Sequence, residues 1–104
     1  MDREIMKGSI DILLLLVIKQ KDTYGYEIVQ TLKEKSNTFY EMSHGTLYPA
    51  LKRLEQKSLI ESYWGESEVG IRRKFYRITI KGQMELEEKL NQWHKIHNLI
   101  QSCI

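Results

Sequence analysis

Residues 12–18 form one unbroken apolar run, Ile-Leu-Leu-Leu-Leu-Val-Ile, and this run constrains the fold more than any other segment. It is far too short to cross a bilayer, which takes about 20 residues of helix. Around it, Ile5, Ile10, Leu13, Leu14, Val17 and Ile18 recur at helical spacing. Leu15 and Leu16 widen that stripe over most of the circumference. A helix apolar nearly all round must be covered on several sides. The sequence therefore predicts a central helix over residues 3–20, with the rest of the chain packed about it.

Three more helices and a hairpin are legible. A second helix is predicted over residues 24–35, with Ile28, Val29 and Leu32 as its apolar face, Asp22 or Thr23 as its cap, and Asn37 as its stop. A third is predicted over 45–57, capped by Ser43, with Leu47, Ala50, Leu51 and Leu54 on one face. Pro49 falls in its first turns, where a missing N–H costs least. Strands are predicted over 59–64 and 72–80, the second with Tyr76, Ile78 and Ile80 on one face, joined by the polar tip Gly65-Glu66-Ser67-Glu68-Val69-Gly70. A last helix, capped by Thr79, is predicted over 80–102. There Leu86, Leu90, Trp93, His97, Ile100 and Ile104 are spaced 4, 3, 4, 3, 4, a heptad seam, with Ile96, Leu99 and Cys103 as a second stripe. Two stripes on one helix of a small domain predict a partner subunit. The fold class expected is mainly α with a small β-hairpin (α+β): a winged helix-turn-helix over residues 1–80, followed by a long C-terminal dimerisation helix over 81–104.

At 104 residues, 41% hydrophobic and 29% charged, the chain has the balance of one ordinary globular domain. The one cysteine, Cys103, excludes an internal disulfide framework and fits a reducing cytoplasm. No signal-peptide pattern opens the chain, so a cytoplasmic protein without membrane attachment is expected. Net charge is only +2, but it is unevenly placed. Residues 1–42 carry six Lys/Arg against seven Asp/Glu, residues 43–77 seven against four, and residues 78–104 three against three. The surplus lies on the third helix and the hairpin.

Three helices followed by a hairpin is the order of a winged helix-turn-helix, whose third helix enters the major groove of DNA. Once its apolar face is set aside, the third helix presents Thr46, Tyr48, Pro49, Lys52, Arg53 and Gln56. Thr and Gln suit base edges; Lys, Arg and Tyr suit phosphate oxygens. The N–H groups at its start, near Ser43 and Gly45, are expected to favour an anion. Arg72-Arg73-Lys74 opens the second strand and is expected to lie along flanking phosphates, while Glu66 and Glu68 keep the tip itself away. No nucleophile elbow, phosphate-binding loop or dinucleotide fingerprint is present, so no enzymatic activity and no cofactor are expected. His94, His97 and Cys103 share a helix but lack a fourth ligand, and no metal site is expected.

Several strings bear directly on identity. They are Tyr24-Gly25-Tyr26-Glu27-Ile28; Gly45-Thr46-Leu47-Tyr48-Pro49-Ala50-Leu51-Lys52-Arg53-Leu54-Glu55; Leu59-Ile60 and Trp64; Gly70 with Arg72-Arg73-Lys74-Phe75-Tyr76; and Ile78-Thr79 with Gly82. In these, over residues 8–99, the chain resembles the PadR family of bacterial transcriptional regulators, in its compact subgroup with a single C-terminal helix. One departure is Ser58, where the family usually has Gly and a left-handed C-cap would suit Gly better.

The resemblance implies a repressor that binds a palindromic operator in double-stranded DNA as a homodimer. It implies a DNA-contacting set of Tyr24, Ser43, Thr46, Tyr48, Lys52, Arg53, Arg72, Arg73 and Lys74. It also implies a dimer interface through Leu86, Leu90, Trp93, Ile96 and Ile100. Compact members of the family bind planar hydrophobic drugs between subunits, stacked on a tryptophan of the last helix. Trp93 occupies the matching place, and His97, one turn on, is expected to face the same space. The competing reading is a winged-helix module for protein interaction or ligand sensing that does not bind DNA. It would dispense with Lys52, Arg53 and Arg72–Lys74, all of which are present.

Overall fold

A computed structural model describes Met6 and residues 8–104 of the chain. The expected start of the first helix, at residues 3–5, lies outside the described residues. Four helices are described, α1 (Ile10–Gln20), α2 (Gly25–Lys35), α3 (His44–Gln56) and α4 (Ile80–Cys103), with strands β1 (Thr23–Tyr24), β2 (Ile60–Glu66) and β3 (Arg72–Ile78). The strands form one antiparallel sheet in the order β1-β3-β2.

The centre is α1, as its apolar circumference requires. It touches α2, α3, α4 and β3. Leu14, Leu15, Val17 and Ile18 are buried in it. They meet Ile28 and Leu32 of α2, Leu47, Ala50, Leu51 and Leu54 of α3, Leu59 and Ile60 at the start of β2, Tyr76 of β3 and Leu86 of α4 in one core. Leu13 and Leu16 are only half-buried.

Three expectations are corrected. The hairpin is a three-stranded sheet, because Thr23 pairs with Tyr76 and Tyr24 with Phe75. The two-residue β1 is too short to carry a periodicity. Its presence also changes the start of α2: the cap position is Tyr24, which makes no side-chain cap bond, and Thr23 Oγ1 instead donates to Glu27 Oε1 at 2.7 Å. Finally, Ile80 does not share a strand face with Tyr76 and Ile78. Thr79 ends the strand by accepting the Gly82 N–H at 2.9 Å, so Ile80 is the first residue of α4 and is exposed.

The joint between β2, β3 and α4 is tight. The Thr79 hydroxyl donates to the Ser58 carbonyl at 2.7 Å, and Lys81 Nζ donates to the Lys57 carbonyl at 3.0 Å. Gly82 lies against the Leu59 carbonyl so closely that a Cβ there would overlap it. The helix α3 ends at Ser58 with φ +62°, the left-handed cap expected there. A left-handed pair, Asn37 (φ 52°) and Thr38 (φ 64°), follows the end of α2.

An L-residue in the left-handed region costs about 1–2 kcal/mol, and glycine avoids this at a smaller entropic cost. Ser58→Gly is therefore expected to stabilise the chain by about 0.5–1 kcal/mol, raising the thermal midpoint by about 3–6 °C for a domain of this size. Differential scanning calorimetry measures this. An unchanged or lowered midpoint would mean that the strain at Ser58 is already offset.

Candidate nucleic-acid interface

The residues expected to meet DNA come from three places that the fold brings together: the start of α2, α3 with its cap, and the basic stretch of β3. A cleft of about 350 Å³ lies among them, lined by Tyr24, Gly25, Tyr26, His44, Tyr48, Trp64, Arg72, Arg73, Lys74 and Tyr76. Of the expected set, Tyr24, Tyr48, Arg72, Arg73 and Lys74 line it. Ser43, Thr46, Lys52 and Arg53 belong to α3 and its cap but do not line the cleft.

Ser43 is the N-cap of α3, and its Oγ accepts the Thr46 N–H at 3.2 Å. That engages one of the first N–H groups of the helix, the one on Thr46. Thr46 is half-buried, its hydroxyl accepting from Ser43 at 3.2 Å. Lys52 is exposed and makes no ion pair among the described residues. Arg53 differs from the expectation of a free cation, because its Nη2 donates to Asp11 Oδ1 at 2.6 Å and ties α3 to α1.

Aromatic rings organise the arginines of β3. Arg72 lies over the Trp64 ring at 5.2 Å from its centroid. Arg73 lies over Tyr24 at 5.2 Å and Tyr26 at 6.0 Å. Such stacking holds a guanidinium without consuming its hydrogen-bond donors. Lys74 lies 5.7 Å from the Tyr76 ring, with Nζ 4.0 Å from Glu55 Oε1. Burial, then the charge of Glu55, raises the Tyr76 phenol above its ordinary pKa, so it stays a neutral donor. Tyr24 itself is half-buried, edge-on to Phe75 at 5.3 Å, and serves more as a platform for Arg73 than as an exposed contact. Tyr48 stands over Gly25, where a Cβ would come within 2.6 Å of its hydroxyl.

The antiparallel register sets Glu66 opposite Arg72 and Gly65 opposite Arg73. The tip beyond is closed by Ser67, whose carbonyl accepts the Gly70 N–H at 2.9 Å and whose N–H donates to the Ile71 carbonyl at 2.8 Å, with Gly70 at φ +78°. Glu66 and Glu68 line a second cleft with Asp22 and Glu27, which adjoins the basic one at Tyr24. The expected contact set left out Gly25, Tyr26, His44, Trp64 and Tyr76 of this lining. Tyr26 was detectable as an aromatic off the Ile28–Leu32 face, and Trp64 as one alternating with Ser62 on a strand; His44 carried no such signal.

The expected dimer and ligand residues separate along α4. Leu86 is fully buried within the chain and is corrected from an interface residue to a core residue; Leu90 packs half-buried on that core. Beyond them Trp93, Ile96, Leu99 and Ile100 are 44%, 59%, 63% and 55% exposed. An apolar groove of about 430 Å³ runs between α1 and this helix, lined by Ile12, Leu13, Leu16, Leu90, Trp93 and His94 together with Met6 and Ser9. His97 does not line it. It stacks on the Trp93 ring at 5.2 Å and 8°, and His94 meets the ring edge-on at 5.3 Å. No described helix is long and apolar enough to cross a membrane.

Comparison with known proteins agrees with this architecture. A transcriptional regulator from Clostridium thermocellum superposes with a TM-score of 0.87 at 33% identity, over 95% of this chain and 96% of that one. A PadR-like transcriptional regulator from Bacillus cereus does so with a TM-score of 0.85 at 34% identity, over 96% and 95%. The negative transcriptional regulator PadR of Bacillus subtilis is 27% identical over 77 residues, which are 74% of this chain but only 42% of that protein. Residues 14–88 match the family model of PadR-like transcriptional regulators, and the chain belongs to that family.

Proposed function

We propose that the chain is a sequence-specific DNA-binding repressor that works as a homodimer on a palindromic operator. The observation that carries this is the joining of α3's start and the Arg72–Lys74 strand around one basic, donor-rich cleft. In this reading Tyr48, Lys52 and the exposed turn of α3 enter the major groove. Ser43 and Thr46 set the start of that helix, and Arg53 reaches phosphate only by sharing its charge with Asp11. Arg72, Arg73 and Lys74 neutralise flanking phosphates, and Tyr24 supports Arg73 from beneath. Residues 1–80 hold the duplex and 81–104 hold the second subunit. Two-fold symmetry then spaces the two α3 helices about one DNA turn, roughly 34 Å, apart.

Selection of fragments of the source genome on the purified protein tests the central claim. Recovery of a palindrome near a promoter is expected; recovery of no enriched sequence from folded protein would favour a protein-interaction module. On a recovered site, Arg72→Ala with Arg73→Ala removes two cations per subunit. The slope of log affinity against log salt should become shallower by about 3–4 per dimer, since each phosphate contact contributes about 0.9. An unchanged slope would remove the strand from the interface.

The bare half of α4 supports the homodimer. Four large apolar residues within two turns, continuous with the α1 groove, form the kind of patch that a soluble monomer rarely leaves uncovered. Ile96→Glu with Ile100→Glu should halve the mass found by sedimentation while leaving the circular dichroism of the protomer intact, because neither residue touches the core. A variant that stays dimeric would place the interface elsewhere.

A second reading, relief of repression by a planar hydrophobic ligand, is supported by the α1–α4 groove and its indole. One face of Trp93 is already covered by His97, so a ligand stacks on the other face or displaces the imidazole. Titration calorimetry with a planar aromatic cation should give binding that weakens at least tenfold in Trp93→Ala. Equal binding to both proteins would end the reading.

A further inference from the structure

The cations expected to meet DNA are held in different ways. Arg72 and Arg73 lie over aromatic rings. Lys52 makes no ion pair among the described residues. Lys74 stands 4.0 Å from Glu55, a loose approach. Only Arg53 of this set has a carboxylate in close contact among the described residues, its Nη2 donating to Asp11 Oδ1 at 2.6 Å. Asp11 lies outside α2, α3 and the sheet. It sits in the first turn of α1, beside the buried Leu14 and Leu15, on the element that the core holds most firmly. Its side chain is 19% exposed, against 47% for Arg53.

Such a pair adds little to stability, because half of the arginine remains in water. Its effect on the arginine is larger. A guanidinium is planar, so one short bond to a fixed carboxylate sets the direction of the whole fork and leaves its other N–H donors available. The same carboxylate offsets the charge that would draw the group to any phosphate. Attraction to an arbitrary duplex follows the number of uncompensated cations, whereas a chosen sequence is recognised by groups held in fixed directions. A compensated but oriented arginine contributes to the second and little to the first. Specificity is a difference of affinities, and weakening the unwanted complex raises it as surely as tightening the wanted one.

We propose that Asp11 is a specificity-determining residue for DNA: from α1, without touching the duplex, it holds Arg53 in one direction and withholds its charge from unselected sequence. The inference rests on the DNA-binding reading and adds to it a positioning residue outside the helix-turn-helix surface.

The test compares the wild type, Asp11→Asn and the double variant Asp11→Asn with Arg53→Ala, each checked for folding by circular dichroism. Affinity is measured across a salt series on the palindrome recovered by selection and on an unrelated duplex of equal length. Asp11→Asn keeps the shape of the side chain and frees one cation per subunit. On the unrelated duplex it should bind about fivefold tighter, with a salt slope steeper by about 1–2 per dimer. On the palindrome it should bind no tighter than the wild type, so the ratio between the two should fall about fivefold. The double variant deletes the pair and leaves no bare charge of either sign. It should match the wild type on the unrelated duplex and lose about tenfold on the palindrome. An Asp11→Asn variant that gains equally on both duplexes, or on neither, overturns the inference while leaving DNA binding intact. So does a double variant that loses equally on both, since Arg53 then acts as an ordinary cation. A wild type without salt-dependent binding to any duplex removes the DNA reading itself, and the inference with it.

Discussion

Removal of α1 from water on several sides is the condition from which the other contacts follow. Leu14, Leu15 and Ile18 are essentially inaccessible, and no single neighbour could achieve that. Residues from α2, α3, α4 and the sheet must all converge on one helix of 11 residues. Burying each of these side chains contributes about 1.5–3 kcal/mol, so the arrangement around α1 is held by several such terms together. The polar surface is then built on elements whose inner faces are already committed. Tyr48 faces the cleft because Leu47, Ala50, Leu51 and Leu54 take the other side of α3. The ion pair of Arg53 with Asp11 follows from the same packing, since α3 lies directly on α1.

Most of this was legible because it depends on periodicity. The apolar stripes of four helices, the cap residues Ser43 and Thr79 and the left-handed turn at Ser58 all follow from local chemistry. What escaped depends on pairing between distant segments. A two-residue strand at Thr23–Tyr24 has no pattern of its own and exists only because β3 offers Tyr76 and Phe75 beside it. That pairing redirects Thr23 from capping α2 to holding Glu27, and so leaves the start of α2 open. Residue types were read correctly, but the partner of Thr23 Oγ1 is decided by tertiary geometry.

The heptad of α4 shows the same limit. Its spacing is regular from Leu86 to Ile104, yet the structure divides it in two. The first two turns belong to the protomer: Gly82 sits on the Leu59 carbonyl, Leu86 is in the core and Leu90 packs against it. From Trp93 onward the apolar positions are bare. A uniform repeat cannot mark that boundary, because it lies where α1 ends as a packing surface, not where the pattern changes.

This division bears on how a signal at one end of the molecule could reach the other. The base of α4 is fastened to the end of α3 and the start of β2 through Thr79, Lys81 and Gly82, contacts that leave little room for rotation. The outer half of α4 has no such fastening among the described residues. In the proposed dimer, a second copy covering that half would take its orientation from the helix, and the helix takes its own from the Gly82 joint. Anything that changes how the outer halves meet, such as displacement of His97 from Trp93 or filling of the adjoining groove, must then rotate whole protomers rather than bend one. Rigid rotation about an interface is a common means of switching. Here it would alter the distance between two α3 helices without disturbing the core around α1 that holds each of them.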